Sequence, residues 1–147
     1  MTTSHHDTSH LGAALRAARV ASGLTQAALA DRAGVARATA VQVETGRGRL
    51  PTLAACAAAL GMAPTIGGRE ADNLSVGAAL AVRRCGLGLA PHQAAALAKI
   101  RIQTVSAIEI GGANVLVATV ERLAEALGCR LMLTAAQSSS CQSKDME

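Results

Sequence analysis

Apolar residues recur at helical spacing in short runs, and small or turn-forming residues interrupt them. Leu11, Leu15 and the Ala17–Ala18 pair mark one face of a first helix, which Ser22-Gly23 stops. Thr25 is placed to cap a second helix of about eight residues with Ala28, Leu29 and Ala33 on its apolar face. Gly34 supplies a left-handed reversal, and a third helix is predicted from about Ala36 to Glu44. Gly46 ends that helix. Pro51 opens a fourth at a position where a missing amide costs nothing, and Gly61 closes it.

The pattern then repeats. Sliding the chain by 65 places Leu11-Gly-Ala-Ala-Leu15 on Val76-Gly-Ala-Ala-Leu80 and superposes Arg19 on Arg84, Gly23-Leu24 on Gly88-Leu89, Thr39 on Thr104, Glu44 on Glu109 and Gly46 on Gly111. After a two-residue insertion the offset is 67, and Ala59-Leu60-Gly61 falls on Ala126-Leu127-Gly128. Pro91 opens the second helix of the second copy. The expected organisation is a disordered polar start over 1–10, a domain over 11–66, a linker over 67–73, a second domain over 74–134 and a disordered tail over 135–147. Helix, short helix, glycine turn, short helix is a helix-turn-helix arrangement, present here twice.

Composition narrows the partners. The chain has 147 residues, 34 of them alanine, and no Trp, Tyr or Phe. A core of Leu, Val, Ile and Ala suits closely approaching helices better than the broad layers of a sandwich or barrel. Without rings to stack on bases, the composition argues against single-strand and RNA-recognition modules. The net charge of +4 is mild, but the cations are clustered. Residues 11–66 carry six arginines against Asp31 and Glu44, and residues 74–133 carry six Lys or Arg against Glu109, Glu121 and Glu125.

The remaining chemistry is sparse. Cys56, Cys85, Cys129 and Cys141 form no CxxC pair, so they are expected as buried, reduced thiols of a cytoplasmic protein. His5, His6 and His10 lie in the Ser/Thr-rich start and make no convincing metal site. The first ten residues lack the basic start and apolar core of a signal peptide, and the apolar window Leu53–Ala63 is too short to cross a bilayer. No nucleophile–base pair, carboxylate pair or phosphate-cradling loop emerges, so neither an enzyme nor a cofactor is expected.

The run Leu24-Thr-Gln-Ala-Ala-Leu-Ala-Asp-Arg-Ala-Gly34-Val-Ala-Arg-Ala-Thr39-Ala-Val-Gln-Val-Glu44-Thr-Gly46-Arg47 resembles the core of the phage-repressor (Cro/XRE) helix-turn-helix family. A weaker version covers the second unit. The resemblance implies an all-α fold of two tandem lambda-repressor-like bundles of four to five short helices, with room for a short strand closing each. It puts Arg37, Ala38 and Gln42 on base-facing positions, and Thr25, Gln26, Thr39, Thr45, Arg47 and Arg49 on the DNA backbone. Arg37 suits a guanine edge and Gln42 an adenine edge, while the alanine face of the third helix suits a major groove about 12 Å wide. Family members often pair an Arg of the first helix with the Glu ending the third. Arg19–Glu44 and its repeat Arg84–Glu109 are therefore expected as structural ion pairs.

The second unit departs from the pattern, replacing Thr25-Gln26 by Ala90-Pro91. Its candidate DNA contacts are Arg101, Ile102, Gln103, Thr104 and Ser106. The alternating stretch Leu127-Gly-Cys-Arg-Leu131-Met-Leu133-Thr134 resembles the C-terminal strand of HipB-type antitoxins, with Met62–Ile66 as its candidate partner within the chain. The expected function is a sequence-specific, double-stranded DNA-binding repressor, as a homodimer or an intrachain pseudo-dimer. The alternative is an antitoxin that binds a toxin partner and autoregulates its operon.

Overall fold

The computed structural model of the protein describes residues 10–67, 75–111 and 114–135. Residues 68–73 of the expected linker, the start with His5 and His6, and the tail from 136 with Cys141 lie outside the described residues. Four helices and a strand make up the first half: α1 (His10–Ala21), α2 (Gln26–Ala33), α3 (Arg37–Glu44), α4 (Leu50–Ala59) and β1 (Met62–Ile66). The second half repeats them as α5 (Val76–Gly86), α6 (Pro91–Ala98), α7 (Ile102–Ile110), α8 (Val117–Ala126) and β2 (Leu131–Ala135). The fold is thus mostly helical, as the periodicity predicts.

Local chemistry sets the helix ends. Thr25 Oγ1 accepts the Ala28 amide at 3.0 Å and caps α2. In the second half Pro91 begins α6 and the Gln93 side chain reaches back to accept the Ala90 amide at 2.7 Å, so a different cap does the same task. The reversal after α2 needs a left-handed residue. Gly34 supplies it at φ 73°, but the second half places Lys99 there at φ 61°. A left-handed side-chain-bearing residue costs about 1–2 kcal/mol, partly offset by the extra freedom glycine loses on folding. Lys99→Gly should therefore raise stability by about 0.5–1 kcal/mol in urea unfolding. An unchanged or lower midpoint would show that the lysine side chain contributes more than its backbone costs.

The core holds no ring. Its largest wholly buried side chains include Leu11, Leu15, Leu29 and Leu53 in the first half, and Leu80, Leu123, Leu127 and Leu131 in the second, all within one apolar cluster spanning both halves. Glycine lets the helices come close enough for such small residues to fill the space. A Cβ on Gly12 of α1 would lie 2.5 Å from the Val43 carbonyl oxygen at the end of α3. Gly77 of α5 is pressed in the same way against the Ile108 carbonyl of α7.

Backbone hydrogen bonds join the halves in two places, both obeying an approximate two-fold relation. Strands β1 and β2 pair antiparallel, with Pro64 opposite Leu133 at the centre and Met62 opposite Ala135 at one end. A two-stranded sheet leaves each strand a free edge, which is what Pro64 requires. Nearer the middle of the chain, Arg49 bridges Leu116. There Leu50 N donates to the Val115 carbonyl at 2.8 Å, and Val117 N donates to the Gly48 carbonyl at 3.0 Å. The repeat offset of 67 exchanges these two hydrogen bonds, so the pair is symmetric across the axis. The first helix of each half also packs on the strand of the other, α1 on β2 and α5 on β1.

Three expectations change. His10, assigned by sequence to the disordered start, is the first residue of α1. Ala135, assigned to the tail, ends β2. Of the three described cysteines only Cys56 is fully buried, whereas Cys129 is half-buried and Cys85 is exposed near the end of α5. Burial pushes the Cys56 thiol up, with the charge of Glu44 adding to the effect, so it stays neutral behind α3. Among the described residues, no helix is long and apolar enough to cross a membrane.

Candidate nucleic-acid interface

Helix α3 has two faces. Ala40, Val43 and Glu44 are buried against the bundle, while Arg37, Ala38, Gln42 and Thr45 are exposed. Ala38, Gln42 and Thr45 lie at i, i+4 and i+7, which is one helical stripe, with Arg37 beside it at the first turn. Among the described residues the Arg37, Gln42 and Arg47 side chains make no hydrogen bond. Thr45 Oγ1 donates to the Gln42 carbonyl at 3.1 Å, which closes the end of the helix. Thr39 is half-buried on the flank of the stripe. The first turn of α3 has no side-chain cap, since Ala36 occupies the cap position, and its amides point outward at the same end as Arg37.

A buried ion pair fixes the tilt of α3. Arg19 of α1 grips Glu44 with two parallel hydrogen bonds, Nε to Oε2 at 2.6 Å and Nη2 to Oε1 at 3.1 Å, and its Nη1 donates to the Leu24 carbonyl at 2.7 Å. One guanidinium thus ties α1, the loop before α2 and the end of α3 together. The Glu44 side chain is only 2% exposed. Its second half counterpart is built alike: Arg84 Nε and Nη2 reach Glu109 at 2.7 and 3.0 Å, and Nη1 reaches the Leu89 carbonyl at 2.8 Å. The hydrogen bond to Glu109 pushes the Arg84 guanidinium further up, so its charge is permanent.

Gln26 and Arg49, both candidate backbone contacts, are engaged by other elements of the protein. Gln26 Nε2 donates to Glu44 Oε1 at 3.2 Å, so only its carbonyl end is uncommitted. Arg49 Nη1 donates to the Asn114 carbonyl at 2.7 Å, next to the bridge between the halves. The repeat gave no sign of that contact, because its partner lies 65 residues away in the other unit. Arg49 still borders an open hollow between the halves that Arg101, Thr104 and Thr119 also line, a setting with two guanidinium groups and two hydroxyls.

In the second half the outward side of α7 and its cap carry Arg101, Ile102, Gln103 and Ser106, all exposed, with Thr104 half-buried beside them. Val105 and Ile108 face inward. Ile110, at the end of α7, is 80% exposed. Sequence reasoning missed His10 and Glu121. Glu121 of α8 is buried, and its Oε2 accepts the Leu11 amide at 3.2 Å while pairing with His10 Nδ1 at 2.9 Å. The other ring nitrogen of His10 meets the Leu131 carbonyl at 2.9 Å. The N-terminus of α1 is in this way closed by the opposite half.

Comparison with known families agrees with this geometry. Residues 10–65 match a family described as a helix-turn-helix domain, and residues 80–132 match a second described as helix-turn-helix. No curated protein and no solved structure matches the chain. Neither match speaks to the likeness of the last strand to antitoxins. With each matched region built around an outward-facing third helix locked by an Arg–Glu pair, the chain carries two tandem helix-turn-helix domains of the Cro/XRE-type families, as a DNA-binding regulator of that type does.

Proposed function

We propose that the protein is a repressor that binds duplex DNA as an intrachain pseudo-dimer, with α3 reading bases in one major groove and α7 engaging the next. The observation that carries this reading is the uncommitted polar stripe on α3: Arg37 and Gln42 hold their hydrogen-bonding groups outward on a helix otherwise faced with alanine. Arg37 would bind a guanine edge, Gln42 an adenine edge, and Ala38 would allow close approach. Thr25, Gln26, Thr39, Thr45, Arg47 and Arg49 would hold the backbone, with Gln26 acting through its free carbonyl end or after release from Glu44. On the second half Arg101, Gln103, Thr104 and Ser106 would contact backbone and base edges, and Ile102 a thymine methyl.

The symmetric hydrogen bonds at the Arg49–Leu116 bridge support two readers related by a two-fold, as repressor dimers present half-sites about one turn, ~34 Å, apart. Because α3 and α7 carry different side chains, the site should have two unlike halves. Selection of bound sequences from random duplex DNA, followed by footprinting, checks this. A bipartite site with unequal halves is expected; protection of one half alone would remove α7 from the reading, and no enrichment would overturn it. Affinity should also fall steeply with salt, since neutralised phosphates carry most of it.

A toxin-binding role is favoured by one observation, the exposed Ile102 and Ile110 on α7. These would suit a protein surface as well as a groove. Co-purification of a second protein that loosens on Ile110→Ser would favour that role.

A further inference from the structure

The two-fold relation between the halves is broken at the N-termini of their first helices, α1 and α5. Around the N-terminus of α1, Glu121, His10 and the Leu131 carbonyl form a filled polar lock, with the Glu121 carboxylate on the Leu11 amide. The repeat offsets of 65 and 67 exchange Leu11 with Val76, His10 with Ser75, Glu121 with Ala54 and Leu131 with Pro64. Those four counterparts do meet, around the N-terminus of α5, but none of their side chains carries a carboxylate or an imidazole. Where the first half is plugged by a glutamate and a histidine, the second half has a cavity of about 410 Å³.

The walls of this cavity say what fits. Leu50, Pro51, Ile108 and Val115 supply apolar surface, and among the described residues no acidic side chain lines it. Ser75 and Val76, at the N-terminus of α5, are among its lining residues, and the Val76 amide is the counterpart of the amide that Glu121 holds. Among the described residues that amide makes no hydrogen bond. Ser75 Oγ accepts the Ala78 amide at 3.1 Å, which leaves its hydroxyl proton free to be donated. Two donors at the positive end of an eleven-residue helix, beneath an apolar chamber, match a carboxylate with a hydrocarbon body. The volume lies in the range of small-ligand sites.

We propose that this cavity binds a small apolar carboxylic acid, its carboxylate on the Val76 amide and the Ser75 hydroxyl in the place that Glu121 takes in the other half. The hydrocarbon body lies between α4 of the first half and α7 of the second. Ile108 of α7 and Gly111, which caps that helix, border the cavity, so an occupant sets the position of α7 against the first half. An effect on DNA affinity rests on the DNA-binding reading above; occupancy itself does not.

The test uses the full chain, with octanoate as the probe and octan-1-ol as its uncharged match, read by calorimetric titration and by thermal melting. Octanoate should bind and raise the melting temperature, with the alcohol about 10- to 100-fold weaker, as expected for loss of hydrogen bonds to a charged group. Ala54→Glu installs the missing carboxylate, so it should abolish octanoate binding and melt higher than the unliganded wild type. Should that variant fail to fold, Ala54→Leu fills the cavity without charge and must also abolish binding. Equal affinity for acid and alcohol, undiminished binding by the variants, or no binding of either octanoate or phenylacetate at millimolar concentration would each overturn the proposal.

Discussion

Replacing Arg19 by alanine should destabilise the protein by about 3–5 kcal/mol, the cost of leaving one member of a buried ion pair without its partner. The loss is large because the guanidinium does three things at once. It neutralises Glu44, whose side chain is only 2% exposed, it satisfies the Leu24 carbonyl, and it fixes α1 against the end of α3. Gln26 would remain on Glu44 Oε1, but a neutral amide does not offset a buried charge. Domains of this kind are stable by roughly 5–15 kcal/mol, so the variant should lie near the edge of folding at 37 °C. Arg84→Ala should cost less, about half as much, because Arg84 and Glu109 are 13% and 14% exposed and water can reach the stranded carboxylate. Replacing Arg19 and Glu44 together by methionine should recover most of the loss. Urea unfolding of the three variants decides the matter, and an Arg19→Ala midpoint within the range of surface substitutions would show that the pair is not what holds α3.

Replacing Arg37 by alanine should weaken binding to the selected DNA site by about 1–3 kcal/mol, or roughly 5- to 150-fold, with little change in affinity for unrelated duplex. Arg37 is exposed at the first turn of α3, beside the Ala38–Gln42–Thr45 stripe, and no internal acceptor among the described residues holds it. Arg47 serves as the contrast. It lies past the end of α3, so Arg47→Ala should reduce binding to all sequences alike and lower the salt slope by about one. Fluorescence anisotropy at several salt concentrations, on specific and scrambled duplexes, separates the two behaviours. Equal loss on both duplexes for Arg37→Ala would make it a phosphate contact and leave base reading to Gln42.

Much of the fold was readable because it depends on neighbours in sequence. Thr25, Gly34, Gly46 and Pro51 act within a turn of themselves, and the Arg19–Glu44 pair is what the family resemblance implies, with both members repeated as Arg84 and Glu109. The close approach of α1 to α3 also left a trace, a glycine inside both copies of the Leu/Val-Gly-Ala-Ala-Leu run, where helix propensity disfavours it. Only the position of the Val43 and Ile108 carbonyls explains it. What could not be read depends on partners far along the chain. Arg49 looked like a loop cation, but its guanidinium holds Asn114. His10 falls at the end of the polar start, and Glu121 enters only the charge count of its unit, because neither has an equivalent in the other copy. The contact between them exists only after the halves have folded onto each other.

The pair of hydrogen bonds flanking Arg49 and Leu116 joins two stretches of a single polypeptide. The pairing of the halves therefore has no dissociation constant, and dilution cannot part them. At nanomolar concentrations, where two separate chains would come apart, this protein keeps both third helices in one body, and its occupancy of a site should follow the first power of its concentration. One gene also encodes both halves as distinct sequences. Each can drift without regard to the other, so that Ile102 stands where Arg37 is, and a cavity stands where Glu121 closes the opposite end.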